Sequence, residues 1–198
     1  WSWQKVLGGE AAHGMLALSP RAIKRLEMYT PQWPIPKLFR ISNKKKLIKD
    51  IFEGSTINTP SMICVEDVLD SLNWVESIGG TNELIKISKK NLQIVTDWVN
   101  ISDWVEFMCN EPKTRSSTSI TLQIKDEWFN KFSEDAQKEL IKKIVSQLYE
   151  EGVVHDINGY PKAPPSFRLW GGATVKNSDM KILLPWIDWA YHSVKNNV

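Results

Sequence analysis

Two helix-length segments with apolar stripes meet at the pair Gly79-Gly80, and this junction constrains the fold more than any other feature. The pair Thr59-Pro60 combines a good helix cap with a residue suited to the first helical position, so the first helix is predicted to run from there to the glycines. The second helix is predicted over residues 82–99. The stripes are Val65, Val68, Leu69, Leu72 and Val75, followed by Leu84, Ile87, Ile94, Val95 and Trp98. The break predicts a boundary between residues 1–79 and residues 80–198.

The region after the second helix alternates strand-like and helix-like segments. Strands are predicted over residues 105–107, 119–123, 153–155 and 167–170, the second because apolar residues alternate along it. One helix is predicted to begin after its cap Ser133 and to end at Gly152, and a last helix covers residues 178–194. Their inward-facing residues are predicted to be Ala136, Leu140, Ile144 and Leu148, then Ile182, Leu183, Trp186, Trp189 and Ala190. These segments predict a small α/β domain.

The region before the two long helices contains less regular structure. Residues 14–19 form an apolar run of strand length, and a helix is predicted from Pro20 to about Met28 with proline in its first turn. Three prolines in residues 30–37 exclude regular structure there, and the irregular connection continues to Gly54. Connections of this length usually serve a function or pack against a partner.

The composition excludes several classes of protein. A net charge of +2 and the short run Lys44-Lys45-Lys46, without interleaved aromatic residues, do not favour nucleic-acid binding. No apolar run reaches the ~18 residues of a membrane span. Cys64 and Cys109 are interpreted as reduced thiols of a cytoplasmic protein. The histidines have no metal-ligand spacing and are interpreted as structural or exposed; they are His13, His155 and His192.

Three sites could carry chemistry, and each has a plain alternative. Lys5 stands before a Gly-Gly break, where a desolvated amine could form a Schiff base, or it is a solvated lysine. Asn58 and Thr59 could donate to an anion at a helix N-terminus, or they only cap the helix. Arg168, between apolar neighbours, could bind a carboxylate or form a structural ion pair.

Three motifs together resemble a known family. The motifs are Ser2-Trp3-Gln4-Lys5, the run Gly8-Gly9-Glu10-Ala11-Ala12-His13-Gly14, and Leu18-Ser19-Pro20-Arg21-Ala22. They resemble phosphoserine aminotransferase, and the resemblance continues to about Trp189. It implies an α/β fold, the C-terminal part of a fold-type I pyridoxal phosphate aminotransferase. The expected parts are a remnant of the large-domain sheet, linker helices, and a small α/β domain with a mainly antiparallel sheet.

The resemblance also implies roles for individual residues. Lys5 would carry pyridoxal phosphate, and Gln4 would contact the cofactor phosphate. Asn58 and Thr59 would reach across a homodimer to the cofactor phosphate of the neighbouring subunit. Arg168 would bind the α-carboxylate of the substrate. The implied reaction converts phosphohydroxypyruvate and glutamate to O-phosphoserine and 2-oxoglutarate, in serine biosynthesis.

One segment departs from the family pattern. Relatives carry an arginine directly after the tyrosine of Gly159-Tyr160, whereas this chain has Pro161 followed by Lys162. Lys162 could replace that arginine as a point charge toward the substrate phosphate. An aminotransferase acting on an unphosphorylated substrate therefore stays an alternative.

The sequence begins at Trp1, and we expect it to be the C-terminal half of a longer protein. The resemblance places several parts of the cofactor site before the lysine: the aromatic residue stacked on the ring, the aspartate paired with the pyridine nitrogen, and most of the phosphate-binding loop. We therefore expect this polypeptide alone to bind pyridoxal phosphate weakly or not at all and to be inactive. The competing class is a non-catalytic domain that dimerises or binds a partner through its tryptophan-rich loop and helices.

Overall fold

The chain folds as two units, residues 1–74 and residues 75–198, and the computed structural model describes every residue of both. The first unit contains α1 (Pro20–Met28), the two-residue strands β1 (Ser42–Asn43) and β2 (Lys46–Leu47), and most of α2 (Met62–Ser77). Three 3-10 turns cover Lys5–Leu7, Lys37–Phe39 and Lys49–Phe52. Regular structure in this unit is therefore mainly helical.

Helix α1 confirms its prediction, whereas the strand expected before it is wrong. Ser19 caps α1 by accepting a hydrogen bond from the backbone nitrogen of Ala22 at 3.2 Å. Residues 14–19 are irregular. Met15 alone pairs with Trp1, through N–H···O distances of 2.6 Å and 2.9 Å. A strand needs a partner along its length, and one paired residue does not make a ladder.

Helix α2 begins later than predicted. Its first residue is Met62, and Ser61 rather than Thr59 stands at its start, with the Ser61 carbonyl accepting from the backbone nitrogen of Val65 at 3.1 Å. Serine caps helices as well as threonine does, and here it lies nearer the apolar stripe. Pro60 consequently lies outside the helix.

The second unit begins in α2 and holds most of the core. Gly79 and Gly80 have φ angles of +110° and +74°, which glycine adopts without the strain of a Cβ atom, and they separate α2 from the next helix. The elements that follow are α3 (Gly80–Ile101), β3 (Val105–Phe107), β4 (Ser119–Ile124), α4 (Glu127–Asn130), α5 (Glu134–Glu150), β5 (Phe167–Trp170) and α6 (Asn177–Asn196). A 3-10 turn covers Pro112–Thr114. None of these helices, nor those of the first unit, has the length and apolarity that crossing a membrane requires.

The strands form an antiparallel sheet in the order β3-β4-β5, as the fold class predicts. Leu122 pairs with Phe107 on one side and Phe167 on the other, and all three are buried. Their face of the sheet belongs to the same apolar core as residues of α3, α5 and α6. The opposite face carries the polar pair Thr121 and Arg168. The sheet therefore presents Arg168 on its polar face.

The strand predicted over residues 153–155 is wrong. The backbone nitrogens of Val153 and Val154 both donate to the carbonyl of Leu148, at 2.9 Å and 3.4 Å, and so complete the end of α5. Amides used in this way are not available to a sheet. The only pairing nearby is an isolated bridge between Asn158 and Phe167.

Helix α6 buries a different face from the predicted one. Ile182, Trp186 and Trp189 are 63%, 37% and 44% exposed, although Ala190 is buried and the partly buried Leu183 packs against the core, as predicted. The buried residues are Met180, Leu184, Ile187, Ala190, Tyr191 and Val194. Apolar residues occur around the whole circumference of this helix, so its period alone does not select the inward face.

Asp126 links the start of α4 to the end of α6. Its carboxylate accepts hydrogen bonds from the Tyr191 hydroxyl, from the Lys195 amine, and from the backbone nitrogen of Trp128 at 2.8 Å. Burial raises the pKa of this carboxyl, but the hydrogen bonds from Lys195, Tyr191 and Trp128 outweigh burial and lower it to about 2. The folded unit therefore favours the ionised form.

Replacing Asp126 by asparagine is expected to destabilise the second unit by about 2 kcal/mol at pH 7. Because the folded pKa lies below the ordinary value, this stability is complete above about pH 4 and is lost as pH falls toward 2. Urea unfolding of wild type and Asp126→Asn across pH 7 to 2.5 measures it. Asp97→Asn, which removes an exposed carboxylate on α3, is the matched control. A difference that does not shrink at low pH would contradict the assignment.

Candidate cofactor and substrate site

Lys5 lies at the start of a 3-10 turn with an unusual backbone. Its φ angle is +64°, a conformation that non-glycine residues rarely adopt, and its carbonyl accepts from the backbone nitrogen of Gly8 at 2.9 Å. The residue is exposed. Strained residues of this kind cluster at functional sites. His13, Lys44 and Lys45 share this conformation, so the backbone alone does not single out Lys5.

The glycines after Lys5 allow the chain to fold back on Trp3. The backbone nitrogen of Gly9 donates to the carbonyl of Trp3 at 2.8 Å, and a Cβ atom on Gly9 would lie 2.7 Å from that same oxygen. Gly8 has a φ angle of +66°. The Gly-Gly break is therefore required for the tight turn around Lys5.

His13 connects the Lys5 turn to the start of α2. Its ring packs edge-to-face on Trp3 with centroids 4.7 Å apart, and its Nε2 accepts from the backbone nitrogen of Ser61 at 3.0 Å. On the other side of Lys5, the Ser71 hydroxyl donates to the carbonyl of Leu7 at 2.6 Å. Sequence reasoning assigned His13 no role, since its partner Ser61 lies 48 residues away.

The other three residues of the first unit that were predicted to bind the cofactor are exposed. Asn58 and Thr59 are exposed and lie just before Ser61, and neither side chain forms a hydrogen bond. Gln4 is also exposed and donates from Nε2 to the Ser2 hydroxyl at 3.0 Å. The structure thus connects the Lys5 turn, through His13, to the segment that follows Asn58 and Thr59.

Arg168 lies on β5 in the second unit and is mostly buried. Its side chain is 18% exposed, one guanidinium nitrogen is 2.7 Å from a carboxylate oxygen of Asp156, and the guanidinium carbon lies 4.7 Å from the centre of the Tyr160 ring. The Nε atom is buried without a hydrogen-bond partner. Asp156 is 69% exposed. The guanidinium therefore has an ion pair on one side and an unsatisfied donor on another.

Lys162 lies in the loop between Asp156 and β5. It is exposed and forms no hydrogen bond or ion pair within the chain. The loop is closed by the backbone nitrogen of Gly159, which donates to the carbonyl of Ser166 at 3.0 Å, and by that of Ala163, which donates to Tyr160 at 2.8 Å. Tyr160, whose ring contacts the Arg168 guanidinium, lies two residues before Lys162.

The loop after Arg168 is anchored by a buried asparagine. Asn91 on α3 is fully buried; its Nδ2 donates to the carbonyls of Gly171 at 3.2 Å and Val175 at 2.9 Å. Its Oδ1 accepts from Asn177 at 2.7 Å. A Cβ atom on Gly171 would lie 2.8 Å from the Ser117 carbonyl, so glycine is required there. These contacts fix the end of the strand that carries Arg168.

Replacing Asn91 by leucine is expected to destabilise the second unit by about 3 kcal/mol, because the carbonyls of Gly171 and Val175 would lose their donor and Asn177 would lose one of its two acceptors. Urea unfolding followed by circular dichroism measures the loss. Asn82→Ala, an exposed change on the same helix, should cost much less. Equal losses for the two variants would contradict the anchoring role.

The donor set of the first unit fits pyridoxal phosphate in two respects. The exposed amine of Lys5 suits its aldehyde, and the unbonded side chains of Asn58 and Thr59 can donate to its phosphate. In the second unit, the unsatisfied Nε of Arg168 suits a carboxylate. No group of three or more histidine, cysteine, aspartate or glutamate residues could hold a metal ion.

Solved structures share the fold of this chain. A phosphoserine aminotransferase from Bacillus circulans subsp. alkalophilus superposes with a TM-score of 0.59 and 20% identity over 72% of this chain and 36% of that one. A phosphoserine aminotransferase studied for radiation damage of its Schiff base superposes with a TM-score of 0.62 and 17% identity over 87% of this chain and 42% of that one. The chain therefore shares the fold of the matching parts of these structures.

Sequence comparison identifies similar curated proteins. No protein-family model matches the chain. The curated phosphoserine aminotransferase of Methanosarcina mazei is 47% identical over 195 residues, and that of Methanosarcina barkeri is 48% identical over the same length. Each match covers 98% of this chain but 50% of the relative, so the chain spans about half the length of these proteins. Over nearly its whole length, the chain is therefore similar to half of a phosphoserine aminotransferase.

Proposed function

We propose that the chain contributes the cofactor lysine and the substrate-carboxylate arginine to a pyridoxal phosphate-dependent phosphoserine aminotransferase. The reaction would exchange an amino group between glutamate and phosphohydroxypyruvate, in serine biosynthesis in the cytoplasm. The observation that carries this proposal is the exposed Lys5 at a φ angle of +64° in a turn tied to α2 by His13, in a chain 47% identical to a phosphoserine aminotransferase.

Each proposed residue has a distinct part in the reaction. Pyridoxal phosphate, when bound, supplies an electron sink that lets a proton leave the α-carbon of an amino acid. Lys5 would hold the cofactor through Nζ, and the same amine would serve as the base that takes that proton and as the acid that returns it. Gln4 would donate to the cofactor phosphate.

The helix start supports a role for Asn58 and Thr59 at a phosphate. Both side chains are exposed and unbonded, and the helix that follows contributes a positive dipole end. We propose that they bind the cofactor phosphate of a second copy in a homodimer. Residues 1–79 would then belong to the large domain and residues 80–198 to the small domain.

The second unit would bind the substrate. Arg168 would bind the α-carboxylate through a two-bond contact, which its planar guanidinium permits. Lys162 would attract the substrate phosphate as a point charge. Its exposed, unpaired amine supports this weaker assignment.

The proposal is tested by transamination. Because the chain spans half the length of its relatives, turnover and Lys5 labelling are measured on a completed protein, in which the chain is joined to the half of the Methanosarcina mazei relative that it does not match. The completed protein is supplied with pyridoxal phosphate and glutamate, and formation of 2-oxoglutarate is followed with phosphohydroxypyruvate or with hydroxypyruvate as the acceptor. Faster turnover with phosphohydroxypyruvate supports the proposal, whereas a preference for hydroxypyruvate favours an aminotransferase for unphosphorylated substrates. Turnover with neither acceptor would favour an inactive structural or dimerisation fragment, the alternative that the exposed Trp186 and Trp189 also suit.

A further inference from the structure

We propose that His13 is a positioning residue of the cofactor site, whose neutral imidazole holds the Lys5 turn at the start of α2. Its relevance to the cofactor rests on the function proposed above. The contact itself is a property of the chain alone. It makes the placement of Lys5 relative to Asn58 and Thr59 depend on one side chain.

The hydrogen bond fixes the protonation state of the ring. Nε2 of His13 accepts from the backbone nitrogen of Ser61 at 3.0 Å, so Nε2 carries a lone pair and the proton of the neutral ring lies on Nδ1. Nδ1 is buried without a partner. An imidazolium would direct a second N–H at the N–H of Ser61 and would lose this bond.

The contacts of His13 and Ser71 bracket Lys5 in the sequence. His13 packs on Trp3, two residues before Lys5, and Ser71 holds Leu7, two residues after it. Ser61 directly precedes α2, and Ser71 lies within it. Both hydrogen bonds therefore connect the Lys5 turn to the same helix. The backbone of His13 itself has a φ angle of +55°, which indicates that these contacts override its local preference.

No charged group is bonded to the ring. Its contacts are Trp3 and Ser61. The charged residues nearest to His13 in sequence are Glu10, Lys5 and Arg21, and the one nearest to Ser61 is Glu66; none of them forms a hydrogen bond or ion pair with His13. The α-amino group of Trp1 donates to Met15 instead.

Amide hydrogen exchange of the Ser61 backbone tests the contact without any cofactor. His13→Phe keeps a ring against Trp3 but lacks an acceptor, whereas His13→Gln can offer Oε1 to Ser61, and both place a side chain at the same positive φ. At pH 7.5 the Ser61 amide is expected to exchange about tenfold faster in His13→Phe than in wild type, as for loss of an ordinary hydrogen bond. His13→Gln should remain closer to wild type.

The ratio of the Ser61 exchange rates in His13→Phe and wild type isolates the contact, because the intrinsic exchange rate cancels. Amides of α5 in the second unit serve as the reference and should not respond. A ratio near one at pH 7.5 would overturn the proposal.

A second readout separates this proposal from the function. Borohydride reduction of the completed protein with pyridoxal phosphate, followed by peptide mapping, reports labelling of Lys5 in wild type and both variants. Protected exchange without selective Lys5 labelling in any protein would support the His13 contact and refute the cofactor assignment. Selective labelling that is equal in wild type and His13→Phe would refute the positioning role and retain the cofactor assignment.

Discussion

Lys5→Ala is expected to lose transamination by a factor on the order of 10³ or more, because one amine both holds the cofactor and transfers the proton. The variant should also lose the pyridoxyl adduct at this position after borohydride reduction. Since the side chain is exposed and unpaired, its removal should leave the unfolding midpoint almost unchanged. Turnover assays and peptide mapping measure both effects.

The chain contains a matched control for this substitution. Lys45 is also an exposed lysine in the left-handed region, with a φ angle of +61°. Lys45→Ala therefore repeats the change in charge and backbone preference away from the proposed site, and it should retain turnover and Lys5 labelling. Lys5→Gly should be inactive but at least as stable as wild type, because glycine relieves the positive φ. Substantial turnover by Lys5→Ala would remove Lys5 from the mechanism.

Arg168→Gln is expected to lower kcat/KM by about 100-fold, mainly through a higher KM for the amino acid, because a two-bond contact to its carboxylate is lost. Arg168→Lys should recover only part of this loss, since a lysine amine cannot form the paired contact. The stability should fall little, because the partner Asp156 is 69% exposed. Steady-state kinetics with glutamate measures the effect.

Asp156→Asn distinguishes substrate binding from a structural ion pair. It removes the charge that Arg168 contacts at 2.7 Å but keeps the guanidinium and the Tyr160 contact. If Arg168 binds substrate, this variant should keep KM within a few-fold of wild type or lower it. A structural ion pair predicts the opposite, with Asp156→Asn and Arg168→Gln losing equal stability and neither changing KM.

The sequence predicted the elements of the second unit where polar and apolar residues separate clearly. Strand β4 alternates Ile120, Leu122 and Ile124 toward the core, and Ser133 caps α5 as predicted. The prediction of the buried face of α6 was wrong because Trp186 and Trp189 are as apolar as the residues that are buried. Tyr191 occupies the core instead, stacked on Trp104 with centroids 3.8 Å apart and bonded to Asp126. Such a choice depends on partners distant in sequence.

The candidate site shows the same division. Motifs identified the residues whose types suit the chemistry, among them Lys5, Asn58 and Arg168. Comparison confirmed the resemblance to phosphoserine aminotransferases. Their assigned roles stay predictions. His13 and Asn91 could not be found, because Ser61 and Gly171, the groups they bind, lie 48 and 80 residues away.

The sequence by itself determined the order of the long helices, the residue types available for chemistry, and the resemblance to phosphoserine aminotransferases, which implied the antiparallel sheet. The helices and the motifs depend on preferences of residues that are close together in the chain. Only the tertiary structure decided the buried face of α6, the start of α2 at Met62, and the attachment of the Lys5 turn to that helix. Each of these results from hydrogen bonds and packing between groups far apart in the chain, where the energy depends on geometry rather than on sequence spacing.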